Sequence, residues 1–274
     1  MGADGRRRLN AVIAREPEHA PDVPTAVRRL AAGAPTHAVW QNELGGLTFE
    51  VDDGAARRFV KWAPAGSGVD LTREVERLRW LAGRTPVPVV LDTGDDGDGS
   101  WIVTRALPGR SAVDEYWLAR PAVAVAAIGA GLRAFHDALT VRDCPFSWRA
   151  ADRIADARRR RAQIDPRRWW PEHQHLSVDD ALALVAGVAE DDLVVCHGDT
   201  CSPNTLVGDD GRWSGHVDLG ACGVADRWAD LAIATWSTEW NYGPGWEGSL
   251  LDAYGIDDDP ERSRIYRVLW ELDP

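Results

Sequence analysis

The stretch Leu193-Val194-Val195-Cys196-His197-Gly198-Asp199-Thr200-Cys201-Ser202-Pro203-Asn204-Thr205-Leu206-Val207, continued by Gly208-Asp209-Asp210-Gly211-Arg212-Trp213-Ser214-Gly215 and His216-Val217-Asp218-Leu219-Gly220, decides the fold. Two apolar runs, Leu193–Val195 and Leu206–Val207, flank a polar segment that contains Gly198 and Pro203. The pattern predicts strand, loop, short strand, turn and strand. The loop is where chemistry is expected.

Asp199, Asn204 five positions later and Asp218 fourteen beyond that stand at spacings that phosphoryl transfer can use. In a kinase-type site one carboxylate accepts the proton of the attacking hydroxyl, while an Asn and a second carboxylate hold the magnesium ions on the phosphates. A carboxylate bound to a divalent cation is a poor base, so base and ligand must be separate residues. Asp199 is the candidate base, and Asn204 and Asp218 are the candidate Mg²⁺ ligands. Any one Asp or Asn in a loop more often caps a helix or closes a turn. Three at these spacings, bracketed by strands and joined by a compatible upstream Lys and Glu, favour the chemical reading. His197 reads as a residue that fixes the loop, since the loop already holds a base.

The string His197-Gly198-Asp199-x-Cys201-x-Pro203-Asn204, with Asp218-Leu219-Gly220 in the place of Asp-Phe-Gly and Gly223-Val224-Ala225-Asp226-Arg227 after it, resembles the aminoglycoside phosphotransferases, most of all the 3′-phosphotransferases. The similarity extends to Ala234-Thr235, Gly243-Pro244-Gly245-Trp246, Tyr254-Gly255 and Tyr266-Arg267, and is weaker upstream of the quoted stretch. It implies a two-lobed protein-kinase-like α+β fold, with a small β-rich first lobe and a larger, mainly helical second lobe. It further implies Mg²⁺-dependent transfer of the γ-phosphate of ATP, or GTP, to the 3′-hydroxyl of a cationic aminoglycoside, an antibiotic-resistance activity. Two rivals stand beside it: a kinase for another hydroxylated antibiotic or metabolite, and a nucleotide-binding module without catalysis. The intact set Asp199, Asn204, Asp218 and Lys61 argues against the second.

Composition narrows the partners. The 274 residues, 45% hydrophobic and 27% charged, suffice for one sizeable core or two modest lobes. A formal net charge of −12 argues against nucleic acid and suits a cationic substrate, with plain solubility as the alternative reading. The four cysteines, Cys144, Cys196, Cys201 and Cys222, form no C-x-x-C pair, which predicts free thiols, and Cys196-His197 with Cys201 fits no common zinc-finger spacing. Arg6-Arg7-Arg8 precedes only the short apolar run Ala11–Ala14, and Ala122–Leu132 falls well short of the ~18–20 residues that span a bilayer. A soluble cytoplasmic protein without a membrane partner is expected.

Upstream of the decisive stretch, a short helix over Pro24–Ala32 precedes three predicted strands, Ala38–Gln41, Leu47–Val51 and Arg58–Trp62. The turn Glu43–Gly46 carries Gly45 and Gly46, which read first as a hairpin turn and, by the kinase scheme, as the loop over the nucleotide phosphates. Lys61 lies on the opposite strand face from Val60 and Trp62 and is the candidate phosphate-binding Lys; a solvated strand Lys is the plain alternative. Leu71, Val75, Leu78 and Leu81 predict a helix, and alignment to the family selects Glu74 as the partner of Lys61, with Glu76 as the fallback. Strands Val89–Leu91 and Trp101–Thr104 are expected around an acidic turn, Asp92–Gly99. Arg105-Ala106-Leu107-Pro108-Gly109 reads as the connector, whose backbone at Leu107 would meet the adenine edge by the kinase resemblance. The boundary is set at Pro108: residues 1–108 form the nucleotide-binding lobe and residues 109–274 the catalytic and acceptor-binding lobe.

The second lobe is expected to be helical over Pro121–Leu139, Ala150–Arg161, Val178–Val188, Trp228–Thr238, Trp246–Tyr254 and Pro260–Leu272, with Ile128, Leu132, Phe135 and Leu139 at its core. Arg158–Arg161 with Arg167-Arg168 reads as a solvated basic face. The family pattern weakens where the acceptor would bind. Ala221 stands where Arg is common, Trp236-Ser237 where Arg and an acidic or polar residue are common, and Trp169-Trp170-Pro171 where an acidic cluster is common. The usual C-terminal acidic pair and Phe are replaced by Trp270-Glu271-Leu272-Asp273-Pro274. Glu172, Trp236, Glu239 and Glu271 are the acceptor-site candidates, with Asp273 and the terminal carboxylate beside them. The tryptophans are by default core, and alternatively line a pocket for a sugar or a less charged ring.

Overall fold

Alternation of apolar and polar residues builds the first unit of the chain. The computed structural model describes residues 14–15, 19–42, 44–54 and 57–273, so Arg6-Arg7-Arg8, most of the run Ala11–Ala14, Glu43 and Pro274 with its carboxylate lie outside the described residues. The chain divides into two compact units, Met1–Pro108 and Gly109–Pro274.

In the first unit, β1 (Ala14–Arg15), β2 (Thr36–Asn42), β3 (Leu47–Asp52), β4 (Arg57–Pro64), β5 (Val89–Asp95) and β6 (Gly99–Arg105) form one antiparallel sheet in the order β1-β2-β3-β4-β6-β5. Leu47, Phe49 and Val51 of β3 point to one face, as a period of two requires, and pack with Val60, Trp101 and Val103 against Ala26, Val27 and Ala31 of helix α1 (Thr25–Ala31). Helix α2 (Leu71–Leu81) starts where Asp70 accepts the Thr72 N–H at 2.9 Å. The expected turn Asp92–Gly99 is corrected. Most of it is paired strand, with Gly94 opposite Trp101 and Asp95 opposite Ser100, and only Asp96–Asp98 turns, where Asp96 Oδ1 accepts the N–H groups of Asp98 and Gly99. A Cβ at Gly94 would stand 2.4 Å from the Trp101 ring, so the glycine that looks like turn chemistry makes room for a cross-strand indole.

The second unit is mainly helical: α3 (Glu115–Leu118), α4 (Pro121–Ala138), α5 (Ala150–Arg159), α6 (Val178–Val185), α7 (Trp228–Tyr242), α8 (Glu247–Tyr254) and α9 (Pro260–Glu271). Ile128, Leu132, Phe135 and Leu139 are buried, as their spacing predicts. α7 runs one turn further than Thr238 and ends at Gly243, whose φ of +89° suits a residue without Cβ. Two small sheets frame the decisive stretch. β7 (Arg110–Ser111), β9 (Thr205–Val207) and β10 (Trp213–His216) form one; β8 (Leu193–Cys196) and β11 (Gly223–Asp226) form the other. β11 pairs Gly223 with Cys196 and Asp226 with Leu193, so the whole excursion from 197 to 222 is pinned at its base by one antiparallel ladder. Arg262 of α9 braces that ladder by reaching buried Asp226 at 3.1 Å. Among the described residues no helix is long and apolar enough to cross a membrane.

Candidate active site

In the second unit the loop after β8 is held by its own backbone. His197 is buried; its Nδ1 accepts the Asp199 N–H at 3.2 Å, which leaves the ring proton on Nε2 to donate to the Val217 carbonyl at 3.0 Å. The histidine ties the Asp199 segment to the one that carries Asp218. Gly198 has φ +88°, and a Cβ there would lie 2.5 Å from the Ala221 carbonyl oxygen, so the two ends of the excursion approach more closely than any other residue allows.

Asn204 sits in the short 3₁₀ turn Ser202–Asn204, and its Nδ2 donates at 3.0 Å to both the carbonyl oxygen and Oδ2 of Asp199. The amide nitrogen is thereby committed, and the amide oxygen remains for a cation. Asp199 Oδ1 is buried without a hydrogen-bond partner. Burial first, and the charge of neighbouring Asp218 second, raise the Asp199 carboxyl above its ordinary 3.8, while His197 and Cys201 oppose the rise. Asp218 has φ +62°, a left-handed conformation that non-glycine residues adopt at a cost. Two oxygen donors of the hard type, beside a carboxylate with an orphaned oxygen, fit Mg²⁺ in donor chemistry.

One residue central to this arrangement escaped the sequence reading. Asp230 of α7 is fully buried and accepts from His197 N at 2.6 Å, Gly198 N at 2.9 Å and His136 Nε2 at 3.0 Å. Tyr254 backs His136 with a 2.8 Å hydrogen bond to Nδ1, and Thr200 Oγ1 donates to the Asp230 carbonyl at 2.7 Å. Burial opposes ionisation of Asp230, but the hydrogen bond from His136, the neighbouring imidazoles and the Gly198 N–H hold its carboxyl below 3.8. The signal was available: a lone carboxylate in the apolar run Trp228-Ala229-Asp230-Leu231-Ala232-Ile233 needs a buried partner.

In the first unit Lys61 Nζ reaches both Glu74 carboxylate oxygens at 2.8 Å, with Glu74 side chain 10% exposed. Between the two alternatives on α2, Glu74 is thus the one bound to Lys61. Gly45 takes φ +81°, and the Gly46 N–H donates to Asn42 Oδ1 at 2.7 Å, closing the β2–β3 hairpin. The Leu107 carbonyl accepts from Arg57 at 3.3 Å.

The acceptor-site candidates have divergent settings. Glu172 is exposed and lies 3.5 Å from His173 Nε2. Glu271 is buried and accepts from the Trp170 N–H at 2.7 Å and bonds His173 Nδ1 at 2.9 Å. Trp236 is 1% exposed, inside a cluster with Trp170, Trp240 and Trp270. Glu239 is half-buried, and its carboxyl is raised by burial and then by the charges of Glu247 and Glu172, against Arg267. Asp273 pairs with Arg153 at 2.8 Å.

Comparison with known proteins adds an independent observation. The profile of the phosphotransferase enzyme family matches residues 42–266. The aminoglycoside 3′-phosphotransferase of Streptomyces fradiae is 35% identical over 255 residues, covering 86% of this chain and 94% of that protein. The crystal structure of an aminoglycoside 3′-phosphotransferase of type VIII superposes with a TM-score of 0.78 at 33% identity, over 90% of this chain and 97% of the other. An aminoglycoside phosphotransferase of Streptomyces rimosus, solved with ADP and streptomycin, does so with a TM-score of 0.71 at 28% identity, over 90% and 96% of the two chains. The expected two-lobed kinase-like α+β fold is the observed one.

Proposed function

We propose, from the premise that this chain belongs to the phosphotransferase enzyme family and within it to the aminoglycoside phosphotransferases, that it transfers the γ-phosphate of ATP to the 3′-hydroxyl of an aminoglycoside and so confers resistance to it. The observation that carries the chemistry is Asp199: a carboxylate with a buried, unpartnered oxygen, made more basic than usual by burial and by Asp218, on a loop locked by His197 and Asp230. Aminoglycoside as acceptor follows from the names of the relatives, and ATP rather than GTP from the ADP held by the Streptomyces rimosus protein.

In this reading Asp199 accepts the hydroxyl proton as the acceptor oxygen bonds to the γ-phosphorus and the bridging oxygen leaves with ADP. Asn204 Nδ2, bonded to Asp199 Oδ2, leaves the other carboxylate oxygen as the basic atom. Asn204 Oδ1 and Asp218 would hold Mg²⁺, which when bound neutralises charge on the phosphates. Lys61, kept in place by Glu74, binds the phosphates; Gly45 and Gly46 cover them, and the backbone at Leu107 meets the base. Residues 1–108 serve the nucleotide, and residues 109–274 supply the base and the acceptor contacts. Glu172, Glu239 and Glu271 are the carboxylates assigned to the acceptor side.

ADP release, followed with Mg-ATP across aminoglycosides with and without a 3′-hydroxyl, tests the reading. Turnover confined to 3′-hydroxyl compounds and lost in Asp199→Asn is expected. Turnover that ignores the 3′-hydroxyl, or that survives the substitution, would refute it.

A further inference from the structure

Helix α7 carries two adjoining stripes of residues four apart. Ser237 and Asn241 form one. Ser237 Oγ accepts the Ser202 N–H at 2.8 Å, and Asn241 Nδ2 donates to the Ser237 carbonyl at 2.8 Å and its hydroxyl at 3.1 Å. This stripe therefore seats the turn that follows Asp199. Trp236 and Trp240 form the other, one residue back on the helix, so that they flank the loop seat.

Those two indoles meet Trp170 and Trp270. Ring centroids lie 4.8 Å apart for Trp236–Trp240, 5.7 Å for Trp170–Trp240 and 5.9 Å for Trp240–Trp270. Trp236 closes the back of the cluster at 1% exposure, while Trp170, Trp240 and Trp270 are only half-buried. Buried indole N–H groups usually find a partner, yet Nε1 of both Trp236 and Trp240 has none. Charge is one-sided beside them. Glu172, Glu239 and Glu247 act on one another, and the Arg267 that faces them already binds Glu247 at 2.8 Å and lies 5.6 Å over the Trp236 ring.

We infer that Trp240, with Trp170 and Trp270, forms a wall against which an apolar ring face of the acceptor packs, and that Glu239 meets a cationic substituent of that same ring. The inference rests on phosphotransfer at Asp199 and names the kind of acceptor: an amine-bearing glycoside that brings a single cation to this wall. Indole faces take the C–H face of a sugar and attract a cation, but they offer no oxygen to several ammonium groups. Each ammonium left unpaired in such a place would be costly. A ring hydroxyl or ether oxygen that reaches the cluster would satisfy the unpaired indole donors.

The test is steady-state KM for the best aminoglycoside of the panel and for ATP, in wild type, Trp240→Ala, Trp240→Phe and Glu239→Gln, with thermal midpoints measured alongside. Trp240→Ala and Glu239→Gln should each raise the aminoglycoside KM roughly tenfold. Trp240→Phe should keep it within about threefold, and the ATP KM should stay within about twofold throughout. An unchanged aminoglycoside KM in Glu239→Gln and in Trp240→Ala, in enzymes that still turn over, overturns the wall. Should Trp240→Ala fail to fold, Glu239→Gln alone decides. Wild type that binds Mg-ATP and phosphorylates no aminoglycoside overturns the proposed function instead, and the wall's aminoglycoside occupant with it.

Discussion

Replacing Asp230 by asparagine isolates what the loop lock is worth. Asp230 accepts three hydrogen bonds in a fully buried setting, two from the backbone N–H groups of His197 and Gly198 and one from His136. Asparagine keeps the shape but has one accepting oxygen, so its NH₂ must face at least one of these donors. Losing the charge from a buried hydrogen-bonded pair and orphaning a donor costs about 3–5 kcal/mol. That is a large fraction of the roughly 5–15 kcal/mol by which a domain is stable. Urea unfolding with an unchanged m-value should show the loss as a lower midpoint, and kcat should fall more than the ATP KM rises, because the loop carries Asp199. Thr200→Val, which removes only the hydroxyl bond to the Asp230 carbonyl, should cost about 1 kcal/mol. The sign with pH follows from the depressed carboxyl. Its stabilisation is complete above the unfolded value of 3.8 and disappears as pH falls through the lower folded value, so wild type should lose this contribution only in acid, and Asp230→Asn should lack that part of the acid slope. An Asp230→Asn protein within about 0.5 kcal/mol of wild type, with unchanged kcat, would refute the loop lock.

Two further outcomes follow from the geometry. Gly198→Ala forces a left-handed alanine against the Ala221 carbonyl and should destabilise by about 2–5 kcal/mol in thermal or urea unfolding, with turnover lost first. Lys61→Met removes the ammonium bound by Glu74 and should raise the ATP KM roughly ten- to hundredfold at unchanged aminoglycoside KM; equal ATP KM values would dismiss the proposed phosphate contact.

Much of this molecule was legible because its signals are local. Helix α2 begins and ends at Leu71 and Leu81 as its apolar spacing predicts, and β3 alternates as a half-buried strand should. The Asp199 loop announces itself through spacing within one short stretch. Other features depend on partners far away in the chain. Asp230 looks like an ordinary helix acid until the backbone of His197 and Gly198 is laid over it. Gly94 and Gly99 read as a turn because the indoles of Trp101 and Trp62 that exclude side chains there are invisible in a linear string. The four-residue strand β11 carries too few residues to show a period, and only its pairing with β8 defines it. Likewise, Trp170, Trp236, Trp240 and Trp270 come from three separate segments, and no spacing could reveal that they share one cluster.

The backbone at Asp218 has a bearing on how mutational scans of this protein are to be interpreted. At φ +62° an alanine there removes the carboxylate and also strains the chain, since alanine lacks the short polar side chain that eases a left-handed turn. An alanine scan would credit the lost charge with about 1 kcal/mol that belongs to the peptide conformation. Asparagine, which tolerates the same dihedral, separates the two quantities and is the substitution from which the worth of the charge can be read.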